Sequence, residues 1–317
     1  MATLNKSWKF EEKYPKISGY TTTYNCLNGD YPFEKSIKSF CFLDEVIVVD
    51  GGSNDGTREK LEELSKKYPN VKIYDFVMDF DNPGCDGQQK ALARAMCSNE
   101  FCVQFDADEI NMSDPKVWNR TAKNLSPNVS VVECPVIEPI GEITNVRLNE
   151  SHNPMKWRLS RNLPEITHGI PAHDRLERDG KVYSKGGSDG CFVVSIVDNK
   201  MIPSSFVSEQ CRQLYTTRKE NDKEKYAEVL QSLTQTTPCV LHLGHVDLEK
   251  KIKLYLSTWH KMWNNLYGKD DQDPQNNVYF PGVAYGDVTS EMIAEKIEQI
   301  KNETPSFEFK KLNEYRD

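Results

Sequence analysis

The chain has 317 residues, 38% of them hydrophobic and 10% aromatic, enough to core one large or two smaller domains. Its 48 acids against 40 bases give a net charge of −8, and the scattered bases argue against nucleic acid, which wants a basic stripe, though not against one phosphorylated small molecule. No apolar run is long enough to span a membrane, and the N-terminal "MATLNKSWKFEEKYPK" has no apolar signal core. The 9 cysteines form no C-x-x-C pair and read as reduced thiols in a cytoplasmic setting.

In chain order, "ISGYTTTY" (17–24) predicts a β-branched strand, and "EVIVVD" (45–50) a strand covered on both faces. The turn "GGSNDGT" leads into a helix, "REKLEELSKKY", with Leu61, Leu64 and Tyr68 on one face and Asn54 and Asp55 as caps. "VKIYDF" (71–76) predicts a strand, "GQQKALARAMC" (87–97) a helix, and "FCVQFD" (101–106) the next strand. Strand, helix, strand, helix, strand at this spacing means a parallel α/β sheet with helices on both faces. "VSVVECPVIEPI" (129–140) is strand-like, and a Pro- and Gly-punctuated region follows, in which "KWRLSRN" (156–162) reads as a basic surface loop. Helices are predicted over 218–233, over 247–268 after an Asp cap, and over 290–302.

Two strand ends carry acids. Asp50 closes "EVIVVD" just before two glycines, at the carboxyl edge where open parallel sheets bind ligands. "FCVQFDADEI" sets down Asp106, Asp108 and Glu109 after an apolar run. Strand alternation would turn Asp106 and Asp108 the same way, with Ala107 pointing inward. Neighbouring carboxylates repel unless a cation intervenes, and a hard divalent ion is the natural one.

Taken together, "ISGYTTTYN", "VIVVDGGSNDGT", "GQQKALARAM" and "VQFDADE" resemble the nucleotide-binding half of family 2 glycosyltransferases with the GT-A fold, over about residues 17–112. The resemblance implies a Rossmann-like, mostly parallel central sheet flanked by helices, with a C-terminal helical extension. It divides the chain into a nucleotide-sugar-binding half (1–115), an acceptor-binding half (116–246) and the extension (247–317). It assigns the nucleotide to Thr22, Thr23, Tyr24, Asn25, Asp50 and Gly52, and the ribose side to Asp106 and Ala107. Lys90 and Arg94, one helical turn apart, would approach the diphosphate, or else form a solvated helix face.

By the same resemblance Asp108, with Asp106, would hold the metal, and Glu109 would orient them from behind. A His-x-Gly near the C-terminus supplies a further ligand in such enzymes. Within "VLHLGHVDL" that is His242, with His245 in reserve; imidazole beside carboxylates leans toward Mn2+ over Mg2+. The acceptor hydroxyl needs a base within hydrogen-bond reach. His173-Asp174 matches loosely, with Asp174 as the base, and His173, Glu165 and Asp189 stay open. The implied activity is a metal-dependent, inverting transfer from a nucleoside diphosphate sugar, with UDP-sugars favoured, to a saccharide or glycan acceptor. A sugar-phosphate nucleotidyltransferase and a non-catalytic sugar- or nucleotide-binding module are the alternatives.

Overall fold

The computed structural model describes residues 14–82, 84–147, 155–169, 176–178, 181–182, 192–195, 201–203, 213, 216–217, 220, 222–259, 279–280, 283, 285–304 and 306–315. Its strands are β1 (Ile17–Thr23), β2 (Glu45–Asp50), β3 (Val71–Asp75), β4 (Phe101–Gln104), β5 (Glu109–Asn111), β6 (Val129–Ile137), β7 (Pro139–Ile140), β8 (Glu142–Arg147), β9 (Met155–Arg161), β10 (Ile166–His168), β11 (Leu176–Arg178), β12 (Lys181–Val182), β13 (Phe192–Ser195), β14 (Met201–Pro203), β15 (Val240–His242) and β16 (Ser306–Glu308). Its helices are α1 (Phe33–Phe40), α2 (Thr57–Lys67), α3 (Cys85–Ala95), α4 (Pro115–Asn124), α5 (Lys223–Leu233), α6 (Leu248–Leu254) and α7 (Ser290–Glu303).

A 10-stranded sheet runs β14-β13-β6-β9-β4-β1-β2-β3, with β5 and β15 attached beside β6. Strands β4, β1, β2 and β3 are mutually parallel, while β9, β6, β13 and β14 continue the sheet antiparallel. The sheet is therefore mixed, and its parallel half has strand order 4-1-2-3. In such a sheet the chain runs out in opposite directions from β1 and β4, which opens a crevice at their carboxyl ends.

β2 is buried along its whole length, as its unbroken apolar run requires. On one face Phe40 of α1 stacks on Phe105 at 4.1 Å between centroids and meets Trp118 of α4 edge-on at 6.1 Å. Burying each such ring contributes about 2–3 kcal/mol. On the other face Tyr20, Ile47, Val49 and Cys102 pack under α3. Gln89 of α3 donates to the backbone oxygens of Thr23 and Val49, stapling the helix across β1 and β2.

Several elements differ from expectation. The strand read over 101–106 stops at Gln104, and Asp106 to Glu109 form a turn closed by Glu109 N–H to Asp106 O at 2.9 Å. Strand alternation therefore does not apply to Asp106 and Asp108. "KWRLSRN" is not a surface loop but most of β9, paired to both β4 and β6 with Arg158 buried. The long helix opens as α6 with the Asp247 carboxylate accepting Lys250 N–H, then widens into a π-helical turn at Tyr255–Trp259. The described cysteines are all free thiols. No helix among the described residues is long and apolar enough to cross a membrane.

Candidate active site

The carboxyl ends of β1 and β2 are tied together by Asp50. Its Oδ1 accepts from Thr23 Oγ1 at 3.0 Å and from Ser53 Oγ at 2.7 Å, and its Oδ2 from Ser53 N–H at 2.9 Å. Ser53 Oγ in turn accepts Asn25 N–H, and Asn25 Oδ1 accepts Asn54 N–H, so the two loops form one ledge. Gly52 sits there at φ +84°, a conformation that glycine adopts without steric cost. Thr22, Tyr24 and Asn25 are half-buried along this ledge.

Asp106 is answered by protein cations. Its Oδ1 takes Lys90 Nζ at 3.1 Å and Gln104 Nε2 at 2.8 Å, and its Oδ2 takes Arg158 Nη2 at 3.0 Å. Glu109, wholly buried, pairs with the same Arg158 nitrogen and has Lys156 Nζ at 3.6 Å. Ala107 is half-buried against the main core. Lys90 therefore reaches this edge through Asp106, but Arg94 does not. The Arg94 guanidinium donates to Ile166 O, Ser160 Oγ and Arg161 O, and Arg161 pairs with Phe101 at the start of β4, away from Asp106.

Asp108 turns the other way. Strand β15 is inserted between β5 and β6, with Leu241 opposite both Ile110 and Ile137. This register brings His242 Nε2 to 3.5 Å from Asp108 Oδ2 and His242 Nδ1 to 3.2 Å from Glu138 Oε1. Burial opposes charge on both members of the first pair, yet their mutual attraction prevails. It holds the Asp108 carboxyl at about 2 and pushes the His242 imidazole up to about 9. His245 stands 5.6 Å from His242, ring to ring and edge-on. Its own burial, then Lys251 and His242, keep it well below the usual histidine range and hence neutral.

Two groups test whether a divalent cation fits. A Cβ placed on Gly244 would lie 2.7 Å from Asp108 Oδ2 and 2.8 Å from His242 Nε2, so the missing side chain leaves open the space beside both atoms. Glu138, His242 and His245 also offer ligand atoms within 4.8 Å of one another. A carboxylate–imidazole donor set of this kind suits a divalent cation.

A family model for glycosyl transferase family 2 matches residues 21–178. This domain belongs to glycosyl transferase family 2. The family 2 domain is an enzyme domain, a glycosyltransferase, and its mixed α/β sheet with flanking helices is the GT-A architecture. Similar solved structures are a mannosyltransferase from Pyrobaculum calidifontis in complex with GDP-Man and Mn2+, 20% identical over 38% of this chain and 36% of that one with a TM-score of 0.32. TarS 1–349 of S. aureus is 14% identical over 90% and 82%, with a TM-score of 0.37. A glucosyl-3-phosphoglycerate synthase from Mycobacterium tuberculosis with Mn2+, UDP and glucosyl-3-phosphoglycerate is 17% identical over 41% and 46%, with a TM-score of 0.28. The match to the mannosyltransferase spans about a third of that chain's length. These likenesses are loose, and the family assignment rests on the sequence match. No curated protein sequence is significantly similar to the chain.

Of the residues singled out from the sequence, Asp50, Asp106, Asp108 and His242 lie at this edge, and Glu138, Arg158 and Lys251, not singled out there, lie beside them. Lys251 sits on α6, where burial lowers its pKa but Tyr31 and Asp108 outweigh it and keep the ammonium charged. Among the described residues that ammonium makes no ion pair. The signal for Arg158 was present: Lys156, Arg158 and Ser160 alternate with Trp157 and Leu159, the period of a strand. His173, Asp174 and Asp189 lie outside the described residues. Glu165 is half-exposed in the turn before β10.

Proposed function

We propose that this domain moves a sugar from a nucleoside diphosphate sugar, UDP-linked by preference, to an acceptor hydroxyl with inversion, using a divalent cation held by Asp108 and His242. One observation carries the reading. Asp108 and His242, far apart in sequence, meet across Gly244 beside the crevice between β1 and β4.

In this reading the Thr23–Asp50–Ser53 ledge receives the nucleoside. Asp106, fixed by Lys90 and Arg158, faces the ribose side rather than the cation. This narrows the expected ligand set, because Asp106 is already neutralised by protein cations. A bound cation would supply positive charge to the diphosphate as it leaves. Lys251, charged and within electrostatic reach of Asp108 and Asp106, would add a second positive group for that diphosphate. The acceptor oxygen forms its bond to the anomeric carbon as the bond to the diphosphate oxygen breaks, and the acceptor proton passes to a carboxylate, assigned by sequence to Asp174.

The test is release of nucleoside diphosphate from UDP-sugars with Mn2+ or with a chelator, in the wild type and Asp108→Asn. Release that needs both the cation and Asp108 supports the reading. A folded Asp108→Asn with unchanged release and transfer overturns it and favours a binding module.

A further inference from the structure

We propose that Glu138 is the positioning residue of the cation site, holding His242 so that Nε2, and not Nδ1, is the ligating nitrogen. The proposal rests on the reading of Asp108 and His242 as the cation's ligands. Two arrangements compete for the same imidazole. In one the ion lies between Asp108 and Nε2, and Glu138 stands behind the ring. In the other it lies among Glu138, Nδ1 and His245, whose ligand atoms fall within 4.8 Å of one another.

Backbone register decides which carboxylate stands where. β15 runs parallel to β6 with Leu241 beside Ile137, so the next residues, His242 and Glu138, come side by side. On its other edge Leu243 N–H donates to Asp108 O at 2.8 Å, which fixes Asp108 next to the same imidazole. His242 thus stands between two carboxylates, one facing each ring nitrogen.

The two carboxylates differ in their other neighbours. Glu138 Oε1 lies 3.2 Å from Nδ1, within hydrogen-bond reach, and its Oε2 has Arg147 Nη1 at 3.9 Å. Arg147 N–H, at the end of β8, also donates to the backbone oxygen of Glu138, so the main chain that carries this carboxylate is tied to β8. Each end has a positive neighbour, Arg147 beside Glu138 and Lys251 within electrostatic reach of Asp108, so the geometry around the two ring nitrogens separates the arrangements. On the Asp108 side the 3.5 Å gap to Nε2 is longer than a good hydrogen bond, and Gly244 leaves the space beside both atoms open. A carboxylate on the far nitrogen fixes the ring's tautomer and orientation and raises its basicity as a ligand.

Mn2+ alone is the probe, its free signal followed by electron paramagnetic resonance during titration of the full chain. Wild type, Glu138→Gln, Glu138→Ala, His245→Gln and Asp108→Asn are compared. Loss of an outer carboxylate weakens metal binding by about 10–100-fold. That weakening is expected in both Glu138 variants, near-complete loss in Asp108→Asn, and wild-type affinity in His245→Gln. Glu138→Gln keeps the shape and an acceptor, and a thermal melt of the metal-free protein shows that it is folded. In the 15N-histidine spectrum of the 113Cd2+-loaded wild type, the proton sits on His242 Nδ1 and the cadmium coupling on Nε2. Wild-type affinity in Glu138→Gln, or coupling on Nδ1, overturns the proposal. Loss in His245→Gln with Asp108→Asn unaffected moves the ion to the other arrangement. Failure of the wild type to bind Mn2+ would instead sink the underlying assignment of Asp108 and His242.

Discussion

Arg158 Nη2 donates to Asp106 Oδ2 at 3.0 Å and also pairs with the buried carboxylate of Glu109. Two of the three acids in the Asp106–Glu109 run are therefore balanced from within the chain, and Asp108 is the one turned toward His242. Removing one partner of a buried pair leaves an uncompensated charge and costs about 3–5 kcal/mol. Arg158→Met should lose about that much in denaturant unfolding. Arg158→Met with Glu109→Gln should recover part of it. A loss below about 1 kcal/mol, typical of an exposed pair, would show that Arg158 is solvated.

Gly244→Ala probes the space beside the Asp108–His242 pair without altering either side chain. Its Cβ would fall 2.7 Å from Asp108 Oδ2 and 2.8 Å from His242 Nε2. Mn2+ affinity should fall at least tenfold, about 1.4 kcal/mol, and the metal-free protein should also melt lower, because the Asp108–His242 pair must shift to admit the methyl group. Unchanged Mn2+ affinity would place any cation elsewhere.

Lys251 of α6 is kept charged by Tyr31 and Asp108 and lies within electrostatic reach of Asp108 and Asp106. A hydrogen bond to a charged group contributes about 1.5–3 kcal/mol. Lys251→Met should therefore raise the dissociation constant of UDP, measured by calorimetry with Mn2+, by about 10–100-fold. Unchanged UDP affinity would remove Lys251 from the diphosphate site.

Far from the crevice, Glu45 offers a test of the fold itself. Burial raises its pKa, but Lys72 at 2.6 Å, Ser98 N–H and the Ser18 and Ser98 hydroxyls outweigh burial and hold the carboxyl down, from 4.5 to about 2. Because the folded pKa is depressed, its stabilising contribution is complete above pH 4.5 and is lost as pH falls toward 2. Glu45→Gln should be less stable than the wild type at pH 7, and the difference should shrink as acid is added through that window. A difference independent of pH would mean that the carboxylate's charge plays no part.

What was legible in the sequence followed local rules. β1, β2 and β4 announce themselves as apolar runs, and acids at strand ends mark the edge where Asp50, Asp106 and Asp108 lie. The Asp247 cap of α6 and the span of α7 are also local signals. What was not legible depends on pairing between distant strands. β9 carries Arg158 to Asp106 and Glu109 only because it is inserted between β4 and β6. Glu138 reaches His242 only through the β15–β6 register. Arg94 shows the converse. Helical spacing from Lys90 suggested a shared role, but its guanidinium is taken up by backbone oxygens of Ile166 and Arg161.

A divalent cation held by Asp108 and His242 and carrying a nucleoside diphosphate should make the binding of the two cooperative. A ligand that binds only the native state raises its stability in proportion to the logarithm of its concentration over its dissociation constant. Thermal unfolding with UDP, with Mn2+ and with both, in the wild type and Asp108→Asn, reads this directly. The wild-type shift with UDP and Mn2+ together should exceed the sum of the two alone, with no such excess in Asp108→Asn. An equal excess in Asp108→Asn, or none in the wild type with any nucleoside diphosphate, would contradict it.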